Sequence, residues 1–225
     1  MTNVYENLLN FYSGSSVEKV VSMHSKQKLT NKWHISATTG NSKCGCQILT
    51  VNFPAGVTCA EGAPCTKFCY ALKGRQTMGN VYQAYVRNLL IWQESPEQYW
   101  RELEAAIIIN GVNKVRLFDC GDIPAVEWLF QLKEFAEKHP EITFSGFTKK
   151  YHFLTMVELP ENVIIRCSKT GNAEWDAKIP AGYPVADIKF SPEQEMSGFH
   201  CTCKNTCSAC GVCFNSKVDV WFDLH

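Results

Sequence analysis

Three thiols that could share one centre lie within a single short stretch, TCAEGAPCTKFCYAL, residues 58–72. They are Cys59, Cys65 and Cys69, with Phe68 just before the last and Tyr70 just after it. Thiolates are the ligands of zinc and of iron–sulfur clusters. Three of them do not fill a tetrahedral metal or a four-iron cluster, so another cysteine, water or a small molecule must take the fourth position. An open fourth position makes a catalyst, and a filled one makes a metal-braced fold. The spacing Cys-x5-Cys-x3-Cys matches no simple zinc ribbon. Cys44, Cys46, Cys120 and a cysteine of the C-terminal tail are the candidates to cap it.

That tail, HCTCKNTCSACGVC, is the second constellation. Cys207, Cys210 and Cys213 follow Cys-x2-Cys-x2-Cys, a spacing that lets successive thiolates converge on one centre. Cys201 or Cys203 would supply the fourth ligand. A closed site of this kind is structural by default, and spacing does not separate zinc from an iron–sulfur cluster. His200 is either a further ligand or a flanking residue. Cys44 and Cys46 stand at i, i+2 before a short strand, so in extended chain both thiols share a face. They are either a ligand pair or small buried hydrophobes.

The elements that must position these thiols read as α/β. Ile48–Val51 is a strand, and two helices follow at 76–94 and 95–110. Ser95, Pro96 and Gln98 supply the start signals of the second helix, and Gly111 stops it. Then strand and helix alternate: strand 114–119, helix 124–139, strand 142–148, a short helix at 151–157, and strands at 163–167 and 183–190. A last strand, 218–222, closes the chain. Such alternation argues for a parallel sheet with right-handed crossovers. The intervals are short for full βαβ units, which points to an incomplete parallel barrel or an open curved sheet. Residues 1–40 read as a helical lead-in, 41–195 as the partial barrel carrying the cluster loop, and 196–225 as a cysteine-rich tail packed on it.

In such sheets ligands bind outside the carboxyl ends of the strands. Asp119, Cys120, Gly121 and Asp122 follow the 114–119 strand. Gly121 would allow close approach of the backbone. Asp122 could accept from an amino group or ribose, or it could cap the next helix. Thr148, Lys149 and Lys150 follow the 142–148 strand, where a lysine could meet a carboxylate or phosphate or simply be solvated. Cys167 and Ser168 end the next strand. There is no evident nucleophile–base pair and no Gly-rich phosphate loop.

Composition narrows the partners. Twenty-two basic and twenty-two acidic residues cancel. Phosphate contacts need clustered Lys and Arg, so nucleic acid is not an expected partner. No apolar run reaches the length of a membrane helix, and the first residues lack the pattern of a signal peptide. The expected compartment is the cytoplasm. Twelve cysteines there read as metal ligands sooner than as disulfides.

In order along the chain stand a turn, strand and Pro (Lys43 to Pro54), then Cys59 to Ala71, Arg-Leu-Phe-x-x-Gly-Asp (Arg116 to Asp122) and Phe-x-Gly-Phe-Thr-Lys (Phe144 to Lys149). Leu-Pro-Glu-Asn-Val (Leu159 to Val163), a Ser at Ser168, and the cysteine-rich tail follow. This order, over residues 40–225, resembles the phage-associated gene product 88 family and, more distantly, the radical S-adenosylmethionine (SAM) enzymes. The latter resemblance implies a partial βα barrel with a [4Fe–4S] cluster on Cys59, Cys65 and Cys69 and SAM on the open iron. Phe68 would lie near adenine, and Gly121-Asp122 would meet the SAM amino group. Thr148 and Lys149 would complete the cofactor site. The usual loop of those enzymes is Cys-x3-Cys-x2-Cys. The tail cysteines Cys201, Cys203, Cys207, Cys210 and Cys213 would hold a second cluster or zinc. An unidentified small molecule or a reductant would be the partner. Without SAM binding, the alternative is a non-catalytic metal-stabilised protein, an electron carrier or interaction module.

Overall fold

The computed structural model describes residues 34–224 except 73 and 203, so the helices expected within residues 1–30, and Cys203, lie outside it. Eight strands form one sheet: β1 (Ala37–Thr38), β2 (Leu49–Val51), β3 (Lys114–Leu117), β4 (Thr143–Thr148), β5 (Val163–Ser168), β6 (Val185–Lys189), β7 (Phe199–His200) and β8 (Val220–Asp223). Their order is β1-β2-β3-β4-β5-β6-β8-β7. β1 pairs antiparallel to β2, and every other pairing is parallel. β1 and β7 are two-residue strands that no periodicity announces. The alternation expected from the sequence is otherwise the alternation found, in an open order with no β1–β7 pairing among the described residues.

Among the described residues seven α-helices accompany the sheet: α1 (Gly79–Glu94), α2 (Pro96–Asn110), α3 (Val126–Lys138), α4 (Tyr151–Leu154), α5 (Ala173–Asp176), α6 (Cys207–Cys210) and α7 (Val212–Asn215). Between β2 and α1 the cysteine loop winds through three short 3-10 turns, Pro64–Phe68, Tyr70–Leu72 and Gly74–Thr77. Pro96 occupies the first turn of α2, and Gly111, in the left-handed conformation at φ 60°, ends it. The Ser95 side chain makes no cap bond, and Gln98 donates to Glu102, so the expected capping box is not formed.

From β2 to β6 each strand is added on the same side of the last, so right-handed crossovers all fall on one face. α1, α2 and α3 pack there, and Leu89, Leu103, Trp128 and Leu132 share a core with Val115, Leu117, Phe144, Ile165 and Cys167. β8 reverses the direction by inserting between β6 and β7. A connection of the same hand must then cross the opposite face. Residues 201–219, the cysteine-rich tail, do so. The alternate side chains Lys114 and Arg166 point to that face. There the Lys114 Nζ stands 5.9 Å over the Phe214 ring, and Phe214 packs on Ile48 and Cys44.

Arg166 fixes this arrangement. It is fully buried on β5 and donates to three tail carbonyls: Nε to Val218 at 3.1 Å, Nη1 to Cys213 at 3.1 Å and Nη2 to Ser216 at 2.7 Å. The buried guanidinium is thus tolerated because its donors are satisfied. Replacing Arg166 by Met strips all three carbonyls of their partner, at about 1–3 kcal/mol for each buried group left unpaired. The expected result is a lower urea midpoint together with new chymotrypsin cleavage within residues 201–219. An unchanged digestion pattern would contradict this role.

Candidate metal centres at the strand ends and under the tail

The carboxyl ends of β2, β3 and β4 are joined by one buried carboxylate. Asp122 Oδ1 accepts from the Thr148 hydroxyl at 2.6 Å and from the Ile123 amide at 2.7 Å, and Oδ2 accepts from the Lys149 amide at 2.8 Å. Its own amide donates to Thr58 Oγ1 at 3.0 Å, and that hydroxyl donates to the Pro54 carbonyl at 3.0 Å. Three strand-end loops are therefore tied at one residue. Burial raises the Asp122 pKa, while Thr148, the Lys149 and Ile123 amides and the Lys150 charge oppose the rise. Asp122 does not cap α3, whose N-cap is Ala125. Its role is the inter-strand knot.

Two left-handed residues make the turn that feeds it. Phe118 has φ 61°, a conformation non-glycine residues rarely take, and Gly121 has φ 79°. Phe118 is held there by ring contacts to Trp128 at 5.0 Å and Phe53 at 6.0 Å. It also ends β3 at Leu117, two residues earlier than the sequence suggests. At Gly121 an added Cβ would stand 2.4 Å from the Phe53 carbonyl oxygen and 2.7 Å from Thr58 Oγ1, so only glycine fits. The close approach expected of Gly121 is thus an approach to the protein's own β2 loop.

Around this turn four thiols come together. Cys59, Cys69 and the buried Cys120 pack with Ala55, Ala71 and Tyr85. Cys65 is near enough to interact electrostatically with Cys59 and Cys69, and with the Lys149 ammonium. The Gly56 amide donates to Cys59 Sγ at 3.2 Å, and the Ala55 amide donates to Cys120. Burial pushes the Cys59 and Cys120 thiols up to about 12 and raises Cys65 as well. Among the described residues no three His, Cys, Asp or Glu stand ready-spaced around a single ion. A four-iron cluster, in which each thiolate takes a different iron, asks for a wider spread than one ion does.

The rest of the expected cofactor residues divide. Phe68 lies on the 64–68 turn and meets Phe190, at the end of β6, edge-on at 5.4 Å. Lys149 faces Cys65. Lys150 does not stand free, since its Nζ donates to the Ile123 carbonyl at 2.7 Å. Cys167 is a core hydrophobe, and Cys46 is exposed.

The second group lies on the tail face. Cys44 packs with Cys207 and Cys213 against Ile48 and Phe214. The nearness of the Cys44 and Cys207 thiols raises the first pKa and lowers the second, and the Cys44 thiol donates to Asp119 Oδ2 at 3.9 Å. Cys201 neighbours Cys207 and Cys210 electrostatically. Arg116 pairs with Asp119 at 3.1 Å, lies 4.1 Å from the Phe147 ring centre and feels Cys44 and Cys213. His200 stacks on Trp221 and pairs with Asp223, which favours its reading as a flanking residue.

The family comparison matches gene product 88 over residues 19–196. The chain belongs to the gene product 88 family. Comparisons with curated proteins and with solved structures find no match. The family match brings no link to radical SAM enzymes, and it ends before the tail cysteines. No described helix is long and apolar enough to cross a membrane. Within this family member, sequence reasoning passed over Thr58, Tyr85, Arg116 and Arg166 as site residues. The signal for the arginines was their place at alternate positions of strands otherwise apolar.

Two outcomes follow. Asp122→Ala should lower stability by about 2–4 kcal/mol, since a buried hydroxyl and two amides lose their acceptor, and urea unfolding measures it. Occupied thiols must be deprotonated, so a raised thiol pKa makes binding tighten with pH. Cadmium titration followed by thiolate absorption should give higher affinity at pH 9 than at pH 7, with proton release. A pH-independent affinity would contradict this.

Proposed function

We propose that this protein is an iron–sulfur protein with a partial, radical-SAM-like βα barrel. Cys59, Cys65 and Cys69 hold a [4Fe–4S] cluster, and the neighbouring strand ends take SAM and an unidentified small-molecule substrate. The observation that supports it is the convergence of these thiols with Lys149 and the Asp122 knot at the carboxyl ends of three parallel strands. A cluster held by Cys59, Cys65 and Cys69, with one iron free of cysteine for SAM, would pass on an electron received from an external protein or small-molecule reductant and so supply reductive cleavage of SAM. The Gly56 amide stabilises thiolate charge on Cys59. Phe68 and Phe190 offer an apolar wall for adenine. The Lys149 ammonium would meet the SAM carboxylate. Asp122, its oxygens already bonded, fixes Thr148 and Lys149 in place and positions them for the ligand. The tail cysteines Cys201, Cys203, Cys207, Cys210 and Cys213 hold a second cluster or zinc.

A second reading has its own observation. Cys120 shares one buried cluster with Cys59 and Cys69, where a fourth thiolate would close the iron–sulfur site. The protein would then be a non-catalytic electron carrier or interaction module served by a reductant.

Anaerobic purification with iron, sulfide and zinc counted, followed by electron paramagnetic resonance of the reduced protein with and without SAM, separates these. The leading reading expects about four irons and four sulfides at the first centre, a signal moved by SAM, and loss of both iron and signal in Cys69→Ala. Zinc alone would overturn it. A signal indifferent to SAM but altered in Cys120→Ala would establish the second reading.

A further inference from the structure

The tail constellation is incomplete when read along the sequence, because its thiols lie over a sheet face to which another part of the chain contributes one more. We propose that Cys44, from the turn before β2, is a ligand of the tail's metal centre beside Cys207 and Cys213. The bound metal would thereby pin the β7–β8 connection to the sheet. This rests on the reading of the tail as metal-binding and adds to it a ligand separated from the others by more than the whole length of the α/β core.

Three observations carry the assignment. Cys44 is 2% exposed, and Cys207 and Cys213 pack against the cluster it forms with Ile48 and Phe214. Backbone bonds hold the two segments in register: the Cys207 amide donates to the Lys43 carbonyl at 2.8 Å and the Ser208 amide to the Cys44 carbonyl at 3.2 Å. Gly45 makes this contact possible, since a Cβ there would lie 2.5 Å from Ser208 Oγ. The third observation is charge. Two largely buried guanidiniums, Arg116 and Arg166, face Cys213, while Asp119 ion-pairs with the first. Four thiolates spread over an oxidised four-iron cluster, or drawn in from their present spacing around a divalent ion, form a dianion, which suits this positive surround. Cys46, exposed two residues away, is not part of the set. Zinc and an iron–sulfur cluster share the thiolate chemistry, and metal counting tells them apart.

The test uses the full chain carrying Cys59→Ala, Cys65→Ala and Cys69→Ala, so that retained metal belongs to the tail. The parent variant should keep zinc, or iron with sulfide. Adding Cys44→Ser should abolish this under chelator challenge, whereas adding Cys46→Ser should not. Folding is checked by circular dichroism. A folded parent variant that holds no metal would overturn the underlying reading. Metal retained unchanged in Cys44→Ser would overturn the assignment of Cys44 while leaving that reading standing. Should Cys44→Ser fail to fold, cadmium-113 loaded into the parent variant gives the answer without touching the residue. Scalar coupling from cadmium to the Cys44 β-protons is expected, and coupling confined to tail cysteines would overturn the proposal.

Discussion

The Asp122 carboxylate is the constraint on which the upper edge of the sheet depends. A carboxylate this deeply buried is tolerated only when its acceptor sites are filled, and here a hydroxyl and two amides fill them. Those donors come from its own loop and from the end of β4, while its amide is bound by the loop after β2. Three segments far apart in sequence are thereby held at fixed separation. Cys120, two residues earlier, is carried by the same turn into contact with Cys59 and Cys69. Phe118 and Gly121 supply the left-handed backbone the turn needs, and the aromatic packing of Phe118 on Trp128 and Phe53 offsets its strain.

The two faces of the sheet follow from strand order. Helices cover the face reached by the β2-to-β6 crossovers, and the reversal at β8 sends the tail to the other. The cysteine groups on the two sites are joined by adjacent residues. Cys120 belongs to the strand-end group, and Asp119 accepts from the Cys44 thiol at 3.9 Å and pairs with Arg116 beneath the tail. Arg116 spans this junction, pairing with Asp119 and lying on the Phe147 ring.

Much of the fold was legible because it is written locally. Leu89, Leu103 and Leu132 fall at helical spacing, Pro96 and Gly111 bracket α2, and β3 to β6 alternate or run apolar, so element type and order could be read directly. The edge strands could not, since Ala37–Thr38 and Phe199–His200 are strands only because β2 and β8 offer them hydrogen bonds. The same division holds at the sites. Cysteine spacing marked Cys59, Cys65, Cys69, Cys207, Cys210 and Cys213 as candidate ligands, because thiolate chemistry is a property of residue type and short separation. That Cys120 joins the first group and Cys44 the second is a matter of which loops meet. Those meetings depend on strand order, on the left-handed turn at Phe118 and Gly121, and on the crossover that carries the tail across the sheet. Sequence by itself therefore determined the chemistry available to this protein. Tertiary structure decided how that chemistry is partitioned, because long-range hydrogen bonds and crossover handedness set which thiols share a centre.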